Sequence, residues 1–190
     1  MNTPAHLLFG AAAFGDPKRR YTTSCALLGA LAPDISLYLL VAMALFIQQI
    51  PPQIVFGEMY FSEAWQRVFA VDNSFILWGG ALALALWRRI PWLVAFCAAG
   101  LLHLVTDFVL HNEDARMQFW PLSDWVFRSP FSYWDTRYGA AWIGPLEVAL
   151  SALMLVILWR RYAGWWLRSL FVTLMAMELA GAVPVEMALH

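Results

Sequence analysis

Charged residues are scarce in this sequence of 190 residues: they make up 13% of it, against about 25% in soluble domains. Hydrophobic residues supply 62% of the chain, which is more than a soluble globular domain normally carries. The formal net charge is −1, and no basic run is long enough to indicate binding to nucleic acid. We therefore expect a protein that lies in a lipid bilayer and has no nucleic-acid partner.

Cysteine is equally scarce, with Cys25 and Cys97 as its two occurrences. Each lies in an apolar stretch, where a free thiol behaves as a small hydrophobic side chain, and we expect no disulfide. The first residues also lack the basic segment with which a cleavable signal peptide begins. We therefore expect the first apolar stretch to remain in the protein.

Long apolar runs dominate what is present. About 20 apolar residues in a helix span a bilayer, and five segments approach that length: residues 21–48, 73–87, 90–110, 140–159 and 165–183. A sixth stretch, residues 4–14, is too short to span and is typical of a half-helix. The sequence predicts an all-α integral membrane protein: a single domain over residues 1–190, with a bundle of about five transmembrane helices plus a short N-terminal half-helix.

Basic residues are concentrated at alternate connections between these segments. They occur at residues 18–20, at residues 88–89, and at residues 160–161 together with Arg168. The two intervening loops, residues 50–72 and 112–139, are rich in acidic residues instead. The positive-inside rule therefore predicts a multi-pass protein of the bacterial inner (cytoplasmic) membrane, with loop 112–139 and the C-terminus in the periplasm.

One apolar segment contains three ionisable residues at regular spacing. His103, Asp107 and His111 follow one another in steps of four, which keeps their side chains on one helical face. Ionisable groups at membrane depth cost several kcal/mol and mark functional sites by default. Two imidazoles and a carboxylate form a ligand set suited to zinc, with manganese or another divalent metal as alternatives. Alternatively, His103 and Asp107 could form a buried hydrogen-bonded pair with a purely structural role.

Further polar residues are expected at the same depth. His6, Asp34, Asn73, His103 and Glu147 each lie about 12–15 residues from the nearest basic cluster, or about 18–22 Å along a helix. We expect His6 as a metal ligand and Asp34 as a metal ligand or base, although Asp34 could instead satisfy backbone donors near Pro33. Glu147 is expected as a general base or as a partner that orients a ligand. Asn73 is predicted to cap a helix N-terminus together with Ser74.

The loop at residues 112–139 mixes aromatic residues with acids and arginines. The simplest interpretation is an amphipathic loop anchored on the membrane surface by its tryptophans. Glu113 and Asp114 directly follow His111, so we expect Glu113 as a further metal ligand and Asp114 as a catalytic carboxylate. Arg116 or Arg128 is expected to hold an anionic headgroup. The loop would then form a lid over the site, or a docking surface for a protein partner.

Four sequence elements occur in order: His6, LGALAPD at residues 28–34, HLVTD at residues 103–107 and FWPL at residues 119–122. Together they resemble a bacterial inner-membrane family described as predicted membrane-bound metal-dependent hydrolases (YdjM-like). The resemblance implies a multi-helix membrane fold with His6, Asp34, His103 and Asp107 as metal-site positions. The sequence departs from that pattern at residues 71–74 and at Asn112, where histidines would be expected.

Three functions follow from these observations. The first is a metal-dependent hydrolase that acts on a lipid or amphipathic (phospho)ester from the outer-leaflet side. The second is a non-catalytic membrane subunit or assembly factor whose polar layer is structural. The third is an ion or proton pathway, which is disfavoured because no acidic residues continue the layer toward the cytoplasmic side. We find no role for Glu178.

Overall fold

The computed structural model describes residues 1–181, and these form helices joined by loops, without a β-strand. The helices are α1 Thr3–Phe14, α2 Thr22–Ala42, α3 Pro52–Ile54, α4 Glu63–Asp72, α5 Phe75–Trp87, α6 Pro91–Leu110, α7 Ala140–Arg161 and α8 Trp165–Gly181. A π-helical turn, Met43–Ile47, extends α2, and a second, Val55–Met59, extends α3. Residues 182–190, which include the predicted periplasmic C-terminus, lie outside the described residues.

Four helical stretches are long and apolar enough to cross a membrane: Thr22–Ile47, Glu63–Trp87, Pro91–Leu110 and Ala140–Arg161. The short helix Thr3–Phe14 accompanies them. Large apolar side chains face outward, such as Phe46 with 78% of its surface exposed and Trp166 with 92%. The predicted all-α membrane bundle is confirmed, and the chain is a multi-pass membrane protein.

Two details differ from the sequence prediction. The predicted span 73–87 is preceded by α4, a helix where the sequence predicted a loop. Together α4 and α5 form the apolar stretch Glu63–Trp87. Ser74 alone caps α5, its Oγ accepting from Leu77 N at 3.1 Å, whereas Asn73 ends α4. The predicted fifth span corresponds to α8, of which 17 residues are described.

Helix α1 lies inside the bundle, in contact with α2, α6, α7 and α8. Its residues Leu8 and Ala11 are fully buried in a cluster with Leu158 of α7 and Phe171 of α8. Residues all around α1 are apolar, which is typical of a helix with no solvent-facing side. This burial carries His6 into the centre of the bundle.

Helices α2 and α6 approach each other closely because small residues line their contact. Ala26, Ala30, Ala95 and Ala99 form a buried cluster between them. A Cβ atom added at Gly29 would lie 2.0 Å from the carbonyl oxygen of Phe96, so the backbones meet there. Small residues permit such close packing between membrane helices. The contact lies in the first halves of α2 and α6, one to two turns before Asp34 and His103.

Loop 112–139 is attached to the ends of α5 and α6 by hydrogen bonds. Ser129 Oγ donates to Val109 O at 2.6 Å, and Phe75 N donates to Gln118 O at 2.9 Å. Ser74 Oγ also donates to Trp120 O. The loop therefore folds back over the end of the bundle that contains His111.

Candidate metal centre and its cavity

Three imidazole Nε2 atoms surround the carboxylate of Asp107. His6 Nε2 lies 2.9 Å and His111 Nε2 lies 3.3 Å from Asp107 Oδ1, and His103 Nε2 lies 3.0 Å from Asp107 Oδ2. His6, His103 and Asp107 each offer one ligand atom within 4.8 Å of the others, a separation suited to one metal ion. All three residues are buried, at 6% exposure or less. The Met1 amino group also lies 3.0 Å from Asp107 Oδ1.

His103 is oriented by the backbone of α2. Its Nδ1 lies 2.7 Å from the carbonyl oxygen of Ala30, in the turn that precedes Pro33. Proline distorts a helix and frees carbonyl groups in the turn before it. A carbonyl oxygen can only accept, so His103 Nδ1 carries the proton. In the neutral ring Nε2 therefore holds a lone pair, and that lone pair faces Asp107.

His6 is oriented in the same way by Thr106. Thr106 Oγ1 donates to His103 O at 2.8 Å, which leaves it free to accept from His6 Nδ1 at 3.3 Å. The rings of His6 and His103 stack at 3.6 Å between centroids, with 9° between their planes. Both Nε2 atoms consequently point toward one carboxylate from neighbouring parallel rings.

The Met1 amino group pairs with Asp107 Oδ1, but it leaves the three imidazole Nε2 atoms around the carboxylate without a partner in the described part of the chain. Within residues 1–181, the Nε2 atoms of His6, His103 and His111 are buried and make no hydrogen bond of acceptable geometry. A neutral Nε2 lone pair facing a carboxylate oxygen is repulsive, and two stacked imidazolium ions would repel each other. A cation that binds the Nε2 atoms and the carboxylate removes both conflicts. The donor set, two imidazole nitrogens oriented by oxygen acceptors plus a carboxylate, fits a divalent metal.

Asp34 lies at the edge of this cluster. Its Oδ1 is 3.6 Å from His103 Nε2 and 3.9 Å from Arg116 Nη1, and its Oδ2 accepts from Thr3 Oγ1 at 2.6 Å. Asp34 is therefore near the three central ligands without lying among them. It fits the position of a further ligand or of a group that orients one.

His111 begins loop 112–139 and is paired with Asp114. Its Nδ1 donates to Asp114 Oδ2 at 2.7 Å, and Trp134 Nε1 donates to the same oxygen at 3.0 Å. Burial lowers the pKa of His111, but Asp107 and Asp114 outweigh that effect and leave the pKa above its ordinary value. Burial raises the pKa of Asp114, but the hydrogen bond and the charge of His111 leave it below its ordinary value.

Arg116 is a buried arginine, only 7% exposed. Its Nη1 donates to Asn73 Oδ1 at 3.1 Å, and its guanidinium lies 4.9 Å from the ring centre of Phe69. Its Nε finds no hydrogen-bond partner among residues 1–181. A buried guanidinium with a free donor is suited to an anionic ligand group.

A cavity of about 490 Å³ joins these residues. Its polar wall contains Asp34, Asp107, His111, Asp114 and Arg116. Its other wall is formed largely by apolar and aromatic side chains, namely Leu37, Tyr38, Phe56, Tyr60, Phe61, Tyr133, Trp134 and Met177. Tyr38, Phe56 and Phe61 are each about half exposed at the surface of the bundle. The cavity therefore combines a charged interior with an apolar opening, which suits an amphipathic ligand.

The structure does not bring Glu113 or Glu147 to the carboxylate of Asp107. Glu113 is 45% exposed and forms an ion pair with Arg137 at 3.0 Å. Glu147 Oε1 accepts from Asn2 N at 2.6 Å, and Glu147 does not line the cavity. Glu178 accepts from Asn2 Nδ2 at 3.3 Å, so Asn2, which lines the cavity, joins two glutamates that do not line it.

The sequence analysis missed Thr106, Asn2 and Tyr133. The HLVTD stretch contains Thr106, but only the position of α1 makes it a partner of His6. Asn2 lies two residues before Pro4 and carried no other signal. Tyr133 lines the cavity, and burial together with the charge of Asp107 raises its pKa well above the ordinary value.

Comparison with known proteins adds no relative: no protein-family model, curated protein or solved structure matches this chain. Inferences about its function therefore depend on the site itself.

Proposed function

We propose that this chain is a membrane-embedded, metal-dependent hydrolase of a lipid or amphipathic (phospho)ester. The observation that supports it best is the convergence of the His6 and His103 Nε2 atoms on the Asp107 carboxylate. Both rings carry their proton on the opposite nitrogen, so a cation bound between the Nε2 atoms and the carboxylate would remove the repulsion between their lone pairs.

In this proposal His6, His103 and Asp107 hold the metal, with Asp34 and His111 beside them. Zinc suits the two imidazoles and the carboxylate, and manganese is the alternative. A bound divalent ion supplies a water of lowered pKa, about 7, and polarises the oxygen of the ester. Ala30 O and Thr106 Oγ1 keep the two imidazoles in the orientation that ligation requires.

Arg116 is the residue that we assign to the anionic part of the substrate. It lines the cavity, it is fixed by Asn73 and Phe69, and its Nε remains free within residues 1–181. A guanidinium in this setting can hold two phosphate oxygens at once. The apolar opening at Phe56, Phe61 and Met177 would take the hydrocarbon part.

His111 and Asp114 are the residues that we assign to proton transfer. Asp114 accepts from His111 Nδ1, which leaves His111 Nε2 directed at the cavity side of Asp107. An imidazole oriented by a carboxylate can accept a proton from an attacking water and return it to a leaving group. Glu147, which hydrogen-bonds to Asn2, takes no part in this scheme.

The proposal also covers the membrane in which the chain lies and the role of loop 112–139. We infer that the chain lies in a bacterial inner membrane with the cavity on the periplasmic side, from the basic connections at the other end of the bundle. Loop 112–139 would act as the lid of the cavity or contact a protein partner. Membership of the YdjM-like family is likewise proposed from the motifs that contain His6, Asp34, His103 and Asp107.

Elemental analysis of the detergent-purified protein tests the proposal. We expect about one divalent metal per chain in the wild type and none in the double variant His103→Ala, Asp107→Ala. The exposed Glu113→Gln variant is the matched control, and it should keep its metal. A fluorescent phospholipid should be hydrolysed by the wild type, lose hydrolysis on chelation and regain it with zinc or manganese. No metal after incubation with either ion would contradict the proposal.

The alternative function is a non-catalytic membrane subunit whose polar groups join its helices. The observation in its favour is that the contacts of Asp107 already connect α1, α6 and loop 112–139 without any added ion. In that case the double variant would lower the thermal stability of the protein while the wild type bound no metal. Stable copurification with a larger complex would also favour this alternative.

A further inference from the structure

A second cavity, of about 900 Å³, lies at the other end of the bundle from Asp107. It is bounded by the connection between α1 and α2, the connection between α5 and α6, and the end of α7. We propose that this cavity binds the headgroup of an anionic phospholipid. The inference is independent of the proposed hydrolase activity, because none of the residues around Asp107 lines this cavity.

The lining of the cavity is strongly basic. Lys18, Arg19, Arg89 and Arg161 line it, together with a single acidic residue, Asp16. Asp16 is already engaged, because Oδ1 accepts from Lys18 N at 2.9 Å and Oδ2 lies 3.5 Å from Arg19 Nε. Within residues 1–181, the side chains of Lys18 and Arg89 make neither an ion pair nor a hydrogen bond. Two cationic groups therefore face the cavity without a counterion.

One of the basic residues is fixed in place. Arg161 Nη1 donates to Ala12 O at 2.6 Å and to Gly15 O at 3.1 Å, so it closes the end of α1 and orients the guanidinium along the wall. The neighbouring turn is also ordered, since Thr22 Oγ1 donates to Asp16 O at 2.9 Å. The cavity is thus built by hydrogen-bonded backbone and not by exposed side chains alone.

Apolar side chains in the lining of the cavity indicate a lipid headgroup as the ligand, and not a free anion. Phe14, Leu86, Val94 and Ala95 line the same cavity as the basic residues. Trp87, the last residue of α5, follows the lining residue Leu86 and is 73% exposed, and tryptophan is enriched at the depth of lipid headgroups. A phosphodiester against the basic residues and a glycerol–acyl region against the apolar ones would match both parts of the lining. Basic pockets between membrane helices are known to take anionic headgroups.

The magnitude of the effect follows from the charge. A Lys or Arg near an anionic membrane surface contributes about fivefold in affinity. Removal of two unpaired cations from the cavity should therefore weaken binding of an anionic lipid about 25-fold. A zwitterionic lipid with the same acyl chains should bind equally to the wild type and to a variant without these two cations, because its headgroup has no net charge.

Native mass spectrometry of the detergent-purified full chain tests this, with phosphatidylglycerol and phosphatidylcholine of identical acyl chains. We expect the wild type to prefer phosphatidylglycerol by about tenfold or more. The Lys18→Gln, Arg89→Gln variant should lose that preference. The control variant Arg88→Gln, Arg160→Gln removes the same charge at the same end of the bundle, but Arg88 stacks on Trp87 and neither residue lines the cavity. It should keep the preference.

Further measurements distinguish a lipid headgroup from free phosphate as the ligand of this cavity. Inorganic phosphate at millimolar concentration should not displace phosphatidylglycerol, and displacement would mean a free-anion site and overturn the proposal. An equal loss in the two double variants would mean general surface electrostatics and overturn it too. Val94→Trp leaves every charge in place and fills the apolar part of the cavity. We expect it to lose phosphatidylglycerol, which keeps the test decisive if the double variant does not fold.

Discussion

His6 and His103 stack with 3.6 Å between their ring centroids and 9° between their planes, although one lies in α1 and the other in α6. Each ring has an oxygen acceptor at Nδ1, Thr106 Oγ1 for His6 and Ala30 O for His103. Both Nε2 atoms therefore face Asp107 from the same side. Parallel neutral rings with aligned lone pairs are a geometry that a bound cation stabilises.

The Thr106→Val variant tests whether the orientation of His6 matters. Valine has nearly the same shape as threonine but cannot accept from His6 Nδ1, so the ring loses the partner that selects its tautomer. Loss of such a partner typically costs about 10- to 100-fold in metal affinity, and we expect a weakening in that range. Zinc titration with a competing chelator measures it. Thr173→Val, at an exposed position of α8, is the control and should bind zinc as the wild type does.

The Arg116→Lys variant tests the assignment of the anionic part of the substrate. Lysine keeps the charge but loses the planar pair of donors, so it cannot hold two phosphate oxygens. We expect the KM for an anionic phospholipid analogue to rise about tenfold or more, with a smaller change in kcat. The control is Arg128→Lys, an exposed arginine of the same loop. Equal KM values for the two variants would count against a role for Arg116 in binding.

The close contact of α2 and α6 predicts a stability difference between two glycines. Gly29→Ala places a Cβ atom 2.0 Å from Phe96 O, so the helices must separate, and overpacking of this kind costs about 1–3 kcal/mol or more. Gly79→Ala in α5 meets no atom within 4 Å and should stabilise the helix by about 0.5–1 kcal/mol. Thermal unfolding in detergent compares them. A Gly29→Ala protein as stable as the wild type would refute the contact.

The His111–Asp114 pair predicts a pH dependence for loop 112–139 in chelator-treated protein. Because the pKa of His111 is raised above 6.5 in the folded state, its contribution to stability is complete below pH 6.5 and is lost as the pH rises through the folded value. Hydrogen–deuterium exchange of residues 111–115, corrected for the intrinsic exchange rate, should show decreasing protection over that rise.

A His111→Asn variant should remove this pH dependence, since asparagine can hydrogen-bond to Asp114 but does not titrate. The pKa of Asp114 is lowered in the folded state, so its own contribution is present above pH 3.8 and is lost only as the pH falls through the folded value. The two groups therefore act in separate pH ranges. Protection that rose with pH above 6.5 would contradict the assigned pairing.

The depth of the polar residues could be read from the sequence, whereas the direction of each side chain could not. Counting residues from the basic clusters placed His6, Asp34, His103 and Glu147 in one layer, because the rise per residue of a helix is constant. Rotation about the helix axis depends on which neighbours a helix packs against. Glu147 thus shares the layer and hydrogen-bonds to Asn2, but it does not itself line the cavity.

Loop positions were the least predictable from the sequence. Glu113 and Asp114 are adjacent and chemically alike, yet Asp114 is bound to His111 while Glu113 is bound to Arg137 at the surface. Adjacent side chains in a non-helical segment can meet different partners, and here the partners include distant residues, Trp134 for Asp114 and Arg137 for Glu113. Sequence spacing carries no information about such bonds.

What the sequence alone determined is the membrane-embedded helical class and the pairing of His103 with Asp107, because apolar length and helical periodicity are local properties. Only the tertiary structure decided that His6 joins them, since this depends on α1 being buried between four other helices. The same packing separated Glu147 and Glu178 from the cavity and placed Arg116 beside it. A site built from distant segments exists only once long-range packing has positioned them.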